Sequence, residues 1–135
     1  MPKAAISSKA FLIDGGCNAC GLQNTETFTI HFEDQRSAVL DHFDVPSLVQ
    51  VIAQKNGWRE KAIPVGIGEE EIVLQKANEV IKPVYFGDQI SYQKGNERIQ
   101  MKQRFNDNDV LFEQVNSILV QLFKLEPYEI KIAVE

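Results

Sequence analysis

The chain has 135 residues, 44% hydrophobic and 24% charged, values that suit one globular domain with a single core. Its net charge of -5 argues against a nucleic-acid surface, which needs a basic patch. No apolar run approaches the roughly 20 residues of a membrane span, the N-terminus shows no secretory core, and two cysteines cannot build a disulfide framework. A cytoplasmic setting is therefore expected.

Residues 1–24 read as an irregular lead-in, with Gly15, Gly16 and Gly21 as breakers and Ala10 to Ile13 as a short strand or anchoring turn. Cys17 and Cys20 within it have three readings: half of a metal site completed by His31 and His42, a redox pair, or packing residues. The spacing matches no common zinc pattern and a redox pair would want a βαβ context, so packing is favoured. Thr25 to Glu33 alternates, with Phe28, Ile30 and Phe32 on one face and Thr27, Thr29 and His31 on the other, as a half-buried strand does. A polar loop holding Asp34, Arg36, Asp41, His42 and Asp44 follows. Val45, Leu48, Val49, Ile52 and Ala53 then fall at helical spacing, with Asp44 placed to cap the start, Pro46 in the first turn and Gly57 placed to close the end.

Trp58 to Gly68, with Pro64, Gly66 and Gly68, reads as a connection. Strand-like clusters return at Ile72, Val73 and Leu74 and at Val80 and Ile81, and Pro83 is expected at an edge, a bulge or a strand end. Gln89 to Lys94 and Glu97 to Phe105 form a hairpin about Gly95 and Asn96, and Asn106 to Asp109 is a further turn. Arg98, Gln100, Lys102 and Arg104 share one face of the second strand, a basic stripe that suits either solvent or an acidic partner, with solvent favoured. Val110 to Leu125 fits a helix through Phe112, Val115, Leu119, Leu122 and Phe123, yet its β-branched residues and the preceding hairpins favour a strand. Tyr128 to Val134 is a short terminal strand. The sum is an α+β arrangement in which an antiparallel sheet packs on one early helix.

Several strings resemble the hotdog fold of the acyl-CoA and acyl-carrier-protein thioesterases, in which a sheet wraps one central helix. Ile81-Lys82-Pro83-Val84-Tyr85-Phe86-Gly87-Asp88-Gln89-Ile90 is similar to that family's strand, proline and Gly-Asp break, and Phe32-Glu33-Asp34 to the strand end before its active-site loop. Val45-Pro46-Ser47-Leu48 with Ile52-Ala53-Gln54 resembles the start of its central helix, and the Cys17 to Asn24 string is similar to the opening of some of its members. The resemblance covers roughly residues 25 to 125. It implies a single hotdog domain over 25–135, assembled as a homodimer or homotetramer, that hydrolyses an acyl thioester of coenzyme A or a carrier protein without metal or redox cofactor.

Asp34 matches the first acid of the family's Asp-x-Asp pair, with Arg36 where the second would stand, so Asp34 is the expected base or nucleophile. Backbone donors near the helix start, around Pro46 to Val49, would hold the carbonyl oxygen. His42 is the expected partner acid or base, Gln54 is expected to orient substrate or water, and Arg36 is expected to bind a coenzyme A phosphate. Asp44 is assigned to the cap. Two alternatives stay open on the same fold: a dehydratase or hydratase using His42, and a non-catalytic acyl-binding or assembly protein.

Overall fold

The structure, a computed structural model, describes residues 1–14 and 22–133. Cys17 and Cys20 lie outside the described residues. In chain order the elements are β1 (Lys3–Asp14), β2 (Leu22–Phe32), β3 (Ser37–Leu40), α1 (Val45–Lys55), β4 (Arg59–Gly66) and β5 (Glu69–Lys76). They continue with β6 (Glu79–Phe86), β7 (Gln89–Lys94), β8 (Glu97–Lys102), α2 (Asn108–Gln121) and β9 (Glu129–Ile132). The chain divides into two compact units, one of residues 1–43 with 128–135 and one spanning Asp44–Pro127.

This overturns the expected hotdog fold. Among the described residues no single sheet wraps a long central helix; there are a four-stranded sheet, ordered β3-β2-β1-β9, and a five-stranded sheet, ordered β4-β5-β6-β7-β8. Both helices are short, with 11 and 14 residues. Two local features account for most of the difference. Residues 3–14 are a long strand rather than an irregular lead-in, and residues 108–121 are a helix rather than a strand.

In the first unit β1 pairs antiparallel with β2 along its whole length, with Ala4 opposite Phe32 and Ile6 opposite Ile30. β9 closes the other side in parallel, Lys3 opposite Glu129. Ala4, Ile6, Ile30, Phe32 and Leu40 are buried, while His31 on the alternate face is exposed, as the period of two requires.

In the second unit α1 forms as its sequence dictates. The Asp44 side chain accepts from Ser47 N at 3.0 Å, and Val45, Pro46, Leu48, Val49, Ile52 and Ala53 are all buried. Gly57 leaves the helix at φ 95°, a left-handed conformation that glycine adopts without a Cβ penalty. Lys76 Nζ donates to Asn56 O at 2.8 Å, so a cation meets the C-terminal carbonyls. α2 is capped by Asp107, whose carboxylate accepts from Asp109 N and Val110 N. Leu111, Phe112, Val115, Ile118 and Leu119 are its buried side, and Lys94 Nζ donates to Leu122 O beyond its last turn. The sheet is a meander of consecutive antiparallel pairs, and β4, expected as a connection, is one of its two outer strands. Seven of the eight β4 residues are exposed, Pro64 lies next to a bulge, and such a strand carries no apolar alternation to announce it.

β6 changes neighbours midway. Glu79–Ile81 pair with β5, whereas Lys82–Phe86 pair with β7. Pro83, without an N–H, sits just past the end of the β5 ladder, where the two strands part. Pro83 is therefore in mid-strand, still opposite Tyr92 of β7 but beside no β5 partner, a local edge where the two strands part and leave a cleft in the sheet.

Candidate functional site

The cleft between β5 and β6 holds a pocket of about 380 Å³. Ile72 and Leu74 line one wall from β5, Pro83 and Tyr85 the other from β6, and Tyr92 the floor from β7. Pro46 and Gln50 come from the first turns of α1, and Glu60 from β4. Register explains why these meet: Glu60 is opposite Leu74 and Pro83 is opposite Tyr92, so directly paired residues face the same side. Tyr85 and Ile72 lie two residues further along the same faces. Both are half open to solvent at the rim, while Leu74 and Tyr92 are buried within.

Tyr92 is the best-supported side chain here. Its ring packs edge-on to Phe123 at 6.4 Å, and Phe123 packs edge-on to the buried Trp58 at 4.9 Å, an aromatic stack that fixes the pocket floor. Burial first, then Tyr85 and the Asp44 charge, raise the Tyr92 hydroxyl well above the ordinary tyrosine value, so it stands in the pocket as a neutral O–H. Gln50 Nε2 donates to Glu60 Oε1 across the mouth between α1 and β4.

The start of α1 presents no free donor to this pocket. Val45 N donates to Gln103 O at 2.8 Å, Pro46 has no N–H, Ser47 N goes to the Asp44 side chain and Leu48 N to Asp44 O. The N–H groups of the first turn of α1 are thus spent. The expectation that residues around Pro46 hold an oxyanion meets donors already committed.

The four side chains singled out from sequence sit elsewhere. Asp34 and Arg36 occupy the turn joining β2 to β3: Asp34 Oδ1 accepts from Arg36 N at 3.1 Å, and Oδ2 is 3.6 Å from Arg36 Nε. With Phe32 N donating to Arg36 O and Gln35 at φ 73°, these residues close a tight hairpin. His42 is exposed in the segment between β3 and α1, and Gln54 is exposed on α1. The structure brings Asp34 and Arg36 together, as each other's partners; Asp34, Arg36 and His42 belong to the first unit and Gln54 to the second. Of the basic stripe, Arg98 is tied down by Ser91 Oγ at 2.8 Å and Gln100 Oε1 at 3.0 Å on the outer strand β8.

Two further features could invite chemistry. Ser7 Oγ and His31 Nε2 lie 2.9 Å apart on the first unit's sheet, an exposed pair in which, among the described residues, no carboxylate orients the other ring nitrogen. A larger groove of about 1070 Å³ runs from Gly87 and Asp88 to the start of α2. Its walls mix Asp88 and Asp107 with Lys102 and Arg104 and are mostly exposed, so it encloses little apolar volume. Among the described residues, no group of His, Cys, Asp and Glu is arranged to hold a metal ion. Among them too, no helix is long and apolar enough to cross a membrane.

Sequence reasoning missed the pocket because its residues come from five elements. One signal was available: a proline in mid-strand beside two tyrosines, Pro83, Tyr85 and Tyr92, marks a ladder that must stop next to aromatic side chains. A family model described as a domain of unknown function (DUF4809) matches residues 1–132. No curated protein and no solved structure matches the chain.

Proposed function

We propose, for a chain that belongs to the DUF4809 family, that its second unit binds a small, largely apolar organic molecule in the cleft between β5 and β6. The observation that carries this reading is a pocket of about 380 Å³ whose floor and walls are Leu74, Pro83 and Tyr92, with polar groups confined to Gln50, Glu60 and the tyrosine hydroxyls. Concave apolar walls with a few convergent polar groups are the usual form of a small-molecule site, and this volume is at the small end of the range of about 300–1,000 Å³. Of the expectations raised by the sequence, binding of an acyl or other apolar group is the one we carry forward. Hydrolysis of an acyl thioester would need a base and oxyanion donors that Asp34 and the start of α1 commit to other bonds. A cytoplasmic setting and self-association belong to the same proposal; β4 and β8 in the second unit's sheet, each with one neighbour, are edges available for pairing.

Titration calorimetry with 2-phenylethanol, a small neutral amphiphile, tests the pocket. The expected outcome is saturable binding by the wild-type protein and at least tenfold weaker binding by Ile72→Trp, in which a bulky ring at the half-exposed rim closes the entrance. Equal affinity in the two proteins would remove the cleft as the site.

A further inference from the structure

The pocket has a sign as well as a shape. Among the described residues Glu60 is the single charged side chain that lines it, and no lysine, arginine or histidine does. Arg59 and Lys61 flank Glu60 on β4, and alternation along a strand turns both to the opposite face of the sheet. Lys82, the nearest cation on β6, is held by Glu71 at 2.8 Å. Gln50 engages Glu60 Oε1, and Oε2 has no partner among the described residues. A second carboxylate, Asp44, is buried at the start of α1 and acts on Tyr92 through its charge. Its position also offsets the positive end of the α1 dipole, the one feature of the wall that would favour an anion. Two tyrosine rings, at the rim and on the floor, add electron-rich faces that attract cations.

From this arrangement we infer that the occupant is a small protonated amine: its N–H groups donate to Glu60, its charge lies near the Tyr85 ring, and its apolar body rests on Leu74, Pro83 and Tyr92. This rests on the pocket proposed above and narrows it. An acyl group ending in a carboxylate or phosphate would bring like charge to Glu60 and is rejected by the same geometry.

Three probes of one shape separate the possibilities: 2-phenylethylamine, 2-phenylethanol and 3-phenylpropanoate, each titrated calorimetrically at neutral pH into wild type, Glu60→Gln and Ile72→Trp. Glu60→Gln keeps the side-chain shape and can still accept from Gln50. The expected result is that wild type binds the amine about tenfold more tightly than the alcohol, equivalent to about 1.4 kcal/mol, and the acid most weakly. Glu60→Gln then lowers amine affinity about tenfold while the alcohol, which carries no charge, loses much less, and Ile72→Trp weakens both. Added salt weakens the amine alone, as screening of an exposed charge requires. Equal affinities for amine and alcohol, both lost in Ile72→Trp, would overturn the amine and keep the pocket. Tighter binding of the acid would also overturn the amine. Failure of all three probes to bind would sink the pocket and the amine with it.

Discussion

Tyr92 joins two roles that are seldom combined in one side chain, a packed ring and a pocket hydroxyl. The ring is 2% exposed and leans on Phe123, so the hydroxyl is carried by the core rather than by a flexible stem. Burial, Tyr85 and the Asp44 charge all favour its protonated form. Stability is therefore intact below the unfolded-state tyrosine value of about 10 and falls as pH climbs above it, because only the unfolded chain releases the proton freely. In Tyr92→Phe that alkaline loss is smaller, and the urea midpoint measured between about pH 9 and pH 11 declines less steeply than in wild type. An identical decline in the two proteins would contradict the assignment. Asp34 illustrates the opposite case. As a lone acid beside an arginine in a loop it invites a catalytic reading, yet its carboxylate accepts from a backbone N–H two residues on, the ordinary use of aspartate in a turn.

Elements were legible in the sequence where local chemistry and burial agreed. α1 had its stripe, its Asp44 cap, Pro46 and Gly57, and the structure uses each of them. The β7–β8 hairpin had alternation and a Gly95-Asn96 turn, and forms in that register, Lys94 opposite Glu97. α2 was misjudged because Val110, Val115, Ile118 and Val120 argue for a strand by propensity, while burial follows the helical period at Leu111, Val115, Ile118 and Leu119. Tertiary packing outweighed propensity, and the Asp107 cap was the local signal in its favour. Removing it tests that weight: Asp107→Ala should lower stability by about 1 kcal/mol in urea denaturation, since two backbone donors lose their acceptor. No change would mean that the packing of α2 alone fixes its start. β4 was missed for a different reason, being an exposed outer strand with little apolar content to reveal it.

The whole molecule was the least legible level. Its first unit is made of chain segments far apart in sequence, joined where β9 lies parallel to β1 with Lys3 opposite Glu129, and no local pattern encodes such a pairing. The hotdog expectation followed from the order of one helix and a run of hairpins and from short strings such as Ile81 to Ile90 that resemble that family, and it fails once a second helix and a second sheet are present. The division has a functional consequence. The pocket is lined wholly by the second unit, whereas Asp34, Arg36 and His42 belong to the first. Asp34→Asn and His42→Ala should therefore leave the affinity for 2-phenylethanol within about twofold of wild type in calorimetry, which a site at the β2–β3 turn would not allow. The most direct test of the pocket is to map it: amide shifts of the isotopically labelled protein, followed by NMR as 2-phenylethanol is added. Saturable shifts centred on Gln50, Glu60, Leu74, Tyr85 and Tyr92 are predicted. Shifts centred on Asp34 to His42, or on the groove from Asp88 to Asp107, would contradict it.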